Sequence, residues 1–173
     1  MSTIKIGITG HRRLSDLQIK KINPILEDTL KNILSDCRKK DPGATFIAIT
    51  PLAEGADTLF AKVARSLGLP LQVILPFERL EYMKHFSSLE KRREFEEMLD
   101  TIDEADITEL NSIVHKELDE LYLQVGEEVV NRSDYLVAIW DENEAGGKGG
   151  TADIVAYAKD KHMEIRAINP EME

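Results

Sequence analysis

Three short loops in this chain collect the residue types that hold a phosphate. The last runs from Asp141 to Thr151, DENEAGGKGGT, with glycines at 146, 147, 149 and 150 around Lys148. The first is Gly10-His11-Arg12-Arg13, and the second is Pro51-Leu52-Ala53-Glu54-Gly55-Ala56-Asp57. Glycine lets backbone N–H groups come close to an anion, and a helix start leaves N–H donors unpaired with partial positive charge behind them. Loops of this kind suit the holding of an oxyanion, above all a nucleotide phosphate. Arg12 adds a planar fork that matches phosphate, whereas Arg13 is expected to face solvent. His11 either donates to the phosphate or fixes its own loop. Asp141 ends an apolar run, where an acid takes ribose hydroxyls or caps a loop N–H. Thr151 can place its hydroxyl on a phosphate and also cap the helix that follows. Asp57 reads as a helix N-cap or as a ligand contact. Gly10, Gly55, Gly147, Lys148, Gly149 and Gly150 complete the candidate contacts. Lys148 does not make a P-loop, because Gly149 follows it where Ser or Thr is required.

Positioning these loops requires strands ahead of them and helices behind. Ile4–Thr9, Thr45–Thr50 and Tyr135–Trp140 are strand-like runs that lead directly into the three loops. Leu71–Leu75 reads as a short buried strand, Ile107–Leu110 as a weak one, and Glu164–Ile168 as the last. Between them lie helical patterns. Ser15 with Gln18 looks like a capping box, after which Ile22, Ile25, Leu26, Leu30, Ile33, Leu34 and Cys37 recur at helical spacing. Pro24 either kinks this helix or, behind Asn23, opens a fresh one. Further helices are expected over Asp57–Leu67, Leu89–Ile102, Ile113–Asn131 and Thr151–Lys161, with Pro76–Ser88 as a loop. Trp140 is expected in the core. Alternation of strands and helices predicts an α/β fold, a three-layer Rossmann-like domain whose mainly parallel sheet is flanked by helices. In such a sheet the loops at the carboxyl ends share one edge, so all three could line one cleft.

Composition narrows the function classes. The 173 residues suffice for one α/β domain over 1–173, and 42% hydrophobic with 31% charged is ordinary for a globular chain. No run approaches membrane-spanning length, the N-terminus has no secretory apolar region, and Cys37 is the sole cysteine. These point to a cytoplasmic protein. His85, His115 and His162 are scattered without metal-ligand spacing, so neither a metal site nor a cofactor is expected. The net charge of −10 argues against nucleic acid as a partner, which ordinarily needs clustered Lys and Arg. The expected partner is a nucleotide-related small molecule, with no membrane.

The motifs resemble a known family. Ile6-Gly7-Ile8-Thr9-Gly10-His11-Arg12 is similar to the opening of the SLOG superfamily, named after the bacterial Smf/DprA DNA-processing proteins and the Lonely Guy enzymes. Pro51-Leu52-Ala53-Glu54-Gly55-Ala56-Asp57 resembles the second Smf/DprA-like signature, and Gly149-Gly150-Thr151 the glycine–threonine helix start. The resemblance spans most of the chain and implies a Rossmann-like sheet, a nucleotide-derived ligand, a bacterial setting and a homodimer as candidate assembly. Lonely Guy enzymes hydrolyse the N-glycosidic bond of cytokinin nucleotides with a Glu three residues after the Thr. That position here is Ile154. Asp153 stands one residue earlier, rotated by about 100° around a helix. Binding or sensing of a nucleotide is therefore expected ahead of cleavage. The alternative is a phosphoribohydrolase-like enzyme, for which Asp153 and Glu54 are the available carboxylates, although Glu54 also reads as a solvated loop acid. A structural module acting through an acidic helix face would leave the glycine loops unexplained.

Overall fold

In a computed structural model, residues 2–111, 117–143 and 150–171 are described. Six strands form one sheet: β1 (Thr3–Gly10), β2 (Thr45–Thr50), β3 (Leu71–Leu75), β4 (Ile107–Glu109), β5 (Tyr135–Ile139) and β6 (Glu164–Ile168). Their order is β4-β3-β2-β1-β5-β6, and every pairing is parallel. The helices are α1 (Asp16–Lys40), α2 (Ala56–Ser66), α3 (Arg79–Met83), α4 (Leu89–Asp100), α5 (Leu118–Arg132) and α6 (Thr151–Asp160). The chain winds outward from β1 to β4 and then returns to the other side of β1 as β5. That reversal opens a crevice between the loops after β1 and β5, the usual ligand position in an open α/β sheet.

Strand alternation assigns the two faces. Phe46 and Ala48 of β2, with Ile6 and Ile8 of β1, pack into a core shared with α1 and α2. Ile49, Ile74 and Leu136 point the other way, into a core with Val125 and Val129 of α5 and Ile154 of α6. Burying a side chain of this size stabilises by about 1.5–3 kcal/mol, so the two faces fix the register of each strand. The α/β three-layer expectation is met. No helix among the described residues is long and apolar enough to cross a membrane.

Local details differ from the sequence reading in instructive ways. The capping box forms, with the Gln18 N–H donating to Ser15 Oγ at 3.1 Å and the Ser15 N–H donating to Gln18 Oε1 at 2.9 Å. Helix α1 then continues through Pro24, with no fresh start. Pro24 lies on the exposed side, and the stripe Ile22, Leu26, Leu30, Ile33 holds the helix on the sheet across it. A helix-interior proline costs about 3 kcal/mol, which this burial exceeds. Ile25, expected inward, is exposed. The segment 76–88, expected as a loop, contains α3, because Glu78 caps it by accepting from the N–H groups of Leu80 and Glu81. Its aromatics Phe77, Tyr82 and Phe86 are buried in an edge-to-face cluster with Phe95 of α4. The fifth helix is described from Leu118 to Arg132; the expected turn at 113–116 lies outside the described residues.

Candidate functional site

A cavity of about 290 Å³ opens at the carboxyl edge of the sheet, where the loops after β1, β2 and β5 meet. Gly10, His11, Arg12, Asp57, Asp141, Gly150 and Thr151 all line it, so seven of the expected contact residues share one space. Gly147, Lys148 and Gly149 lie outside the described residues. The volume is at the lower end of the roughly 300–1,000 Å³ usual for small-molecule sites.

The loop after β1 is held from both sides. The His11 N–H donates to the Ile139 carbonyl at 3.2 Å, and the His11 carbonyl accepts from the Ala56 N–H at 3.0 Å. His11 Nε2 stands 3.2 Å from the Asp141 N–H and 3.3 Å from Asp141 Oδ1. A neutral ring accepts from that N–H, and a protonated one donates to the carboxylate. Asp141 Oδ1 also accepts from the Asn143 N–H at 3.0 Å. That N–H, with His11 adding to it, holds the Asp141 carboxyl below its usual range. Of the two readings of Asp141, loop capping is thus visible in the geometry. His11 fixes its loop.

Two of the expected ligand glycines serve packing. Gly55 has φ of +85°, which favours glycine. A β-carbon there would stand 2.5 Å from the Arg12 carbonyl oxygen and 2.6 Å from that of His11. Gly55 therefore lets the first loop lie on the second, and it does not line the cavity. At Gly10, which does line it, a β-carbon would meet the Ala56 side chain at 2.4 Å.

The loop after β2 pairs several of its polar groups within the protein. The Leu52 N–H donates to Thr50 Oγ1 at 3.0 Å, and the Thr58 hydroxyl donates to the Ala53 carbonyl at 2.7 Å. The Ala53 N–H donates to Asp57 Oδ2 at 3.2 Å, and the Tyr82 hydroxyl donates to the Pro51 carbonyl at 3.2 Å. The Ala56 N–H is given to the His11 carbonyl, so the Leu52, Ala53 and Ala56 donors of this loop are engaged within the protein. Asp57 is not the N-cap; Gly55 is, and Asp57 sits in the first turn. Burial pushes its carboxyl up to about 7, against the Ala53 N–H and the charge of Arg12. Glu54 is not a solvated acid. It is buried and accepts from the Ser87 N–H at 2.9 Å and from the Ser87 hydroxyl, away from the cavity.

Donors remain at two places. Arg12 places its guanidinium over the Tyr122 ring, with Cζ 5.0 Å from the centroid. Its Nε and Nη2 are buried with no hydrogen-bond partner among the described residues. Buried unpaired donors are rare and costly. Arg13 is exposed, as expected. Helix α6 opens at Gly150 without a side-chain cap, so Thr151 is its first residue and not its cap. Thr151 and Ala152 line the cavity at that opening. Ile154 lines it too, whereas Asp153 does not.

Sequence reading missed the aromatic walls. Tyr82, Tyr122 and Trp140 line the cavity. Tyr82 was hidden in an apparent loop, and Tyr122 in a helix face where a tyrosine reads as core. Trp140 is only half-buried, beyond the end of β5, and donates through Nε1 to the Asn143 carbonyl at 2.9 Å.

No family model and no curated protein sequence matches this chain. Solved structures do. DNA processing protein A from Streptococcus pneumoniae superposes with a TM-score of 0.60 at 14% identity, over 95% of this chain and 50% of that one. DNA processing protein A from Helicobacter pylori gives 0.59 at 14%, over 95% of this chain and 64% of that one. The chain thus spans between half and two thirds of these neighbours. The Helicobacter structure describes a mode of single-stranded DNA binding. The expectation that acidity argues against nucleic acid is corrected by this likeness, since net charge does not describe the local surface that meets a strand. The fold of this chain is the Rossmann-like fold of DNA processing protein A.

Proposed function

We propose that the chain binds a nucleotide, free or as part of a single strand, in the cavity at the switch point of the sheet. The observation that carries this reading is Arg12. A guanidinium whose buried Nε and Nη2 have no acceptor among the described residues, set on an aromatic ring in a pocket, is poised for an oxygen-rich ligand. The start of α6, which no described side chain caps, offers a phosphate position in the same cavity. Tyr82, Tyr122 and Trp140 supply apolar surface for a base.

Single-stranded DNA is the second reading, favoured by the Helicobacter neighbour. It requires one nucleotide of the strand to enter the cavity, because a space of about 290 Å³ holds little more. Cleavage finds less support. Ile154 faces the cavity where a hydrolytic relative keeps its acid, and neither Asp153 nor Glu54 lines it.

Native mass spectrometry of protein purified without added ligand, followed by a thermal-shift panel, tests the proposal. The panel holds mononucleotides, ribose 5-phosphate and a short oligothymidylate. A ligand at one hundred times its Kd stabilises by about 2.7 kcal/mol, a clear rise in Tm. No retained nucleotide and no shift at millimolar concentration would refute the proposal.

A further inference from the structure

The cavity has two chemically different ends. The loops after β2 and β5 leave strands on either side of β1, and two strand spacings, about 10 Å, separate those strand ends. The α6 start at Gly150 and Thr151 is the β5 end. Asp57, Tyr82 and Arg12 over Tyr122 form the other. That separation is comparable to the reach from phosphate to base in an extended nucleoside monophosphate. A phosphate at α6 therefore delivers the base, and not the phosphate, to Arg12 and Asp57.

We propose that Arg12 and Asp57 read the polar edge of the base and select bases that carry a carbonyl beside a ring N–H, such as guanine and uracil, over adenine. This rests on the nucleotide reading above. Donor count decides the class. Arg12 brings two unpaired donors, Nε and Nη2, and no acceptor. A carbonyl oxygen has two lone pairs and can take both, or guanine can take them on O6 and N7. Adenine has no carbonyl oxygen. Asp57 lines the cavity with one oxygen held by the Ala53 N–H, and its other oxygen would accept from the neighbouring ring N–H. Arg12 Nε and Nη2 are closed off from solvent, so engagement needs a turn of the guanidinium about its flexible stem.

Calorimetric titration of the intact chain at about pH 8 with GMP, UMP and AMP tests this. GMP and UMP should bind about tenfold or more tightly than AMP, the discrimination expected of one good bidentate contact. In Asp57→Asn the amide oxygen can keep the Ala53 N–H and turn the NH₂ toward the base, so the preference should vanish or invert. Arg12→Lys keeps the charge but loses the fork, and should also erase the preference while retaining binding. AMP binding as tightly as GMP and UMP to the unaltered chain would overturn the inference alone. So would an unchanged preference in both variants with native circular dichroism. Binding of none of the three would overturn the nucleotide reading itself, and this inference with it.

Discussion

Replacing Asp57 by Asn should make the protein more stable at alkaline pH, although it removes a charge from a hydrogen-bonded site. Burial raises the Asp57 carboxyl from 3.8 to about 7, with the Ala53 N–H and Arg12 opposing. The native state therefore holds a proton that the unfolded chain has lost between those two values. Stability rises with pH only where the unfolded state binds more protons. Here the native state binds more, so Asp57's contribution is complete below about 4 and is lost as pH rises through about 7. At about 1.4 kcal/mol per pH unit, the whole interval corresponds to about 4 kcal/mol, of which about 2.6 kcal/mol falls between pH 5 and pH 8. The amide variant has no such titration, and its oxygen can still accept from Ala53. Urea unfolding of both proteins at the two pH values isolates the effect, because all other ionisable groups cancel in the difference. With m near 2 kcal/mol per molar, the variant's midpoint should gain about 1.3 M on its parent between pH 5 and pH 8. A midpoint difference that stays constant with pH would refute the reasoning. It would mean that Asp57 is ionised as easily folded as unfolded, and that Arg12 compensates its burial.

Further outcomes follow from the same contacts. Gly55→Ala should destabilise by on the order of 3 kcal/mol, since it combines a positive φ with a β-carbon 2.5 Å from the Arg12 carbonyl oxygen; a thermal midpoint within a degree of the parent would contradict the loop packing. Gly150→Val should leave the fold intact, because φ −73° and ψ 172° accept a side chain, yet weaken ligand binding by crowding the α6 start; unchanged affinity in calorimetry would move the phosphate elsewhere. Incubation with AMP and cytokinin-type monophosphates should release no free base by chromatography, since Ile154 and not Asp153 faces the cavity. Release that disappears in Asp153→Asn but survives in Glu54→Gln would establish a glycosidase with a relocated acid.

Much of the scaffold is legible in the sequence because the two periods are strong. Alternation in TFIAIT assigns Phe46 and Ala48 to one face and Ile49 to the other, as the packing has it. The helical stripe from Ile22 to Cys37 survives Pro24 because tertiary burial outweighs a local propensity. The candidate site is legible at its loops, since Gly10, Arg12 and Thr151 each follow a strand or open a helix. Three things were not legible. The φ of Gly55 belongs to a contact with a loop more than forty residues earlier, which no local pattern encodes. Glu54 turns inward only because Ser87, from the segment read as a loop, supplies its N–H and hydroxyl. Tyr82 and Tyr122 come from helices on different sides of the chain's reversal, so their meeting at Arg12 is a product of strand order.

We propose that one cavity, at the carboxyl edge between β1 and β5, takes the nucleotide. Amide chemical-shift mapping of the ¹⁵N-labelled chain tests it most directly, with the tightest-binding mononucleotide or oligothymidylate as titrant. The account predicts saturable shifts at Gly10, His11, Arg12, Asp57, Gly150 and Thr151, and none at Asp134, His162 or Met163 on the opposite edge of the sheet. Shifts confined to that opposite edge, or to the exposed face of α1, would contradict it.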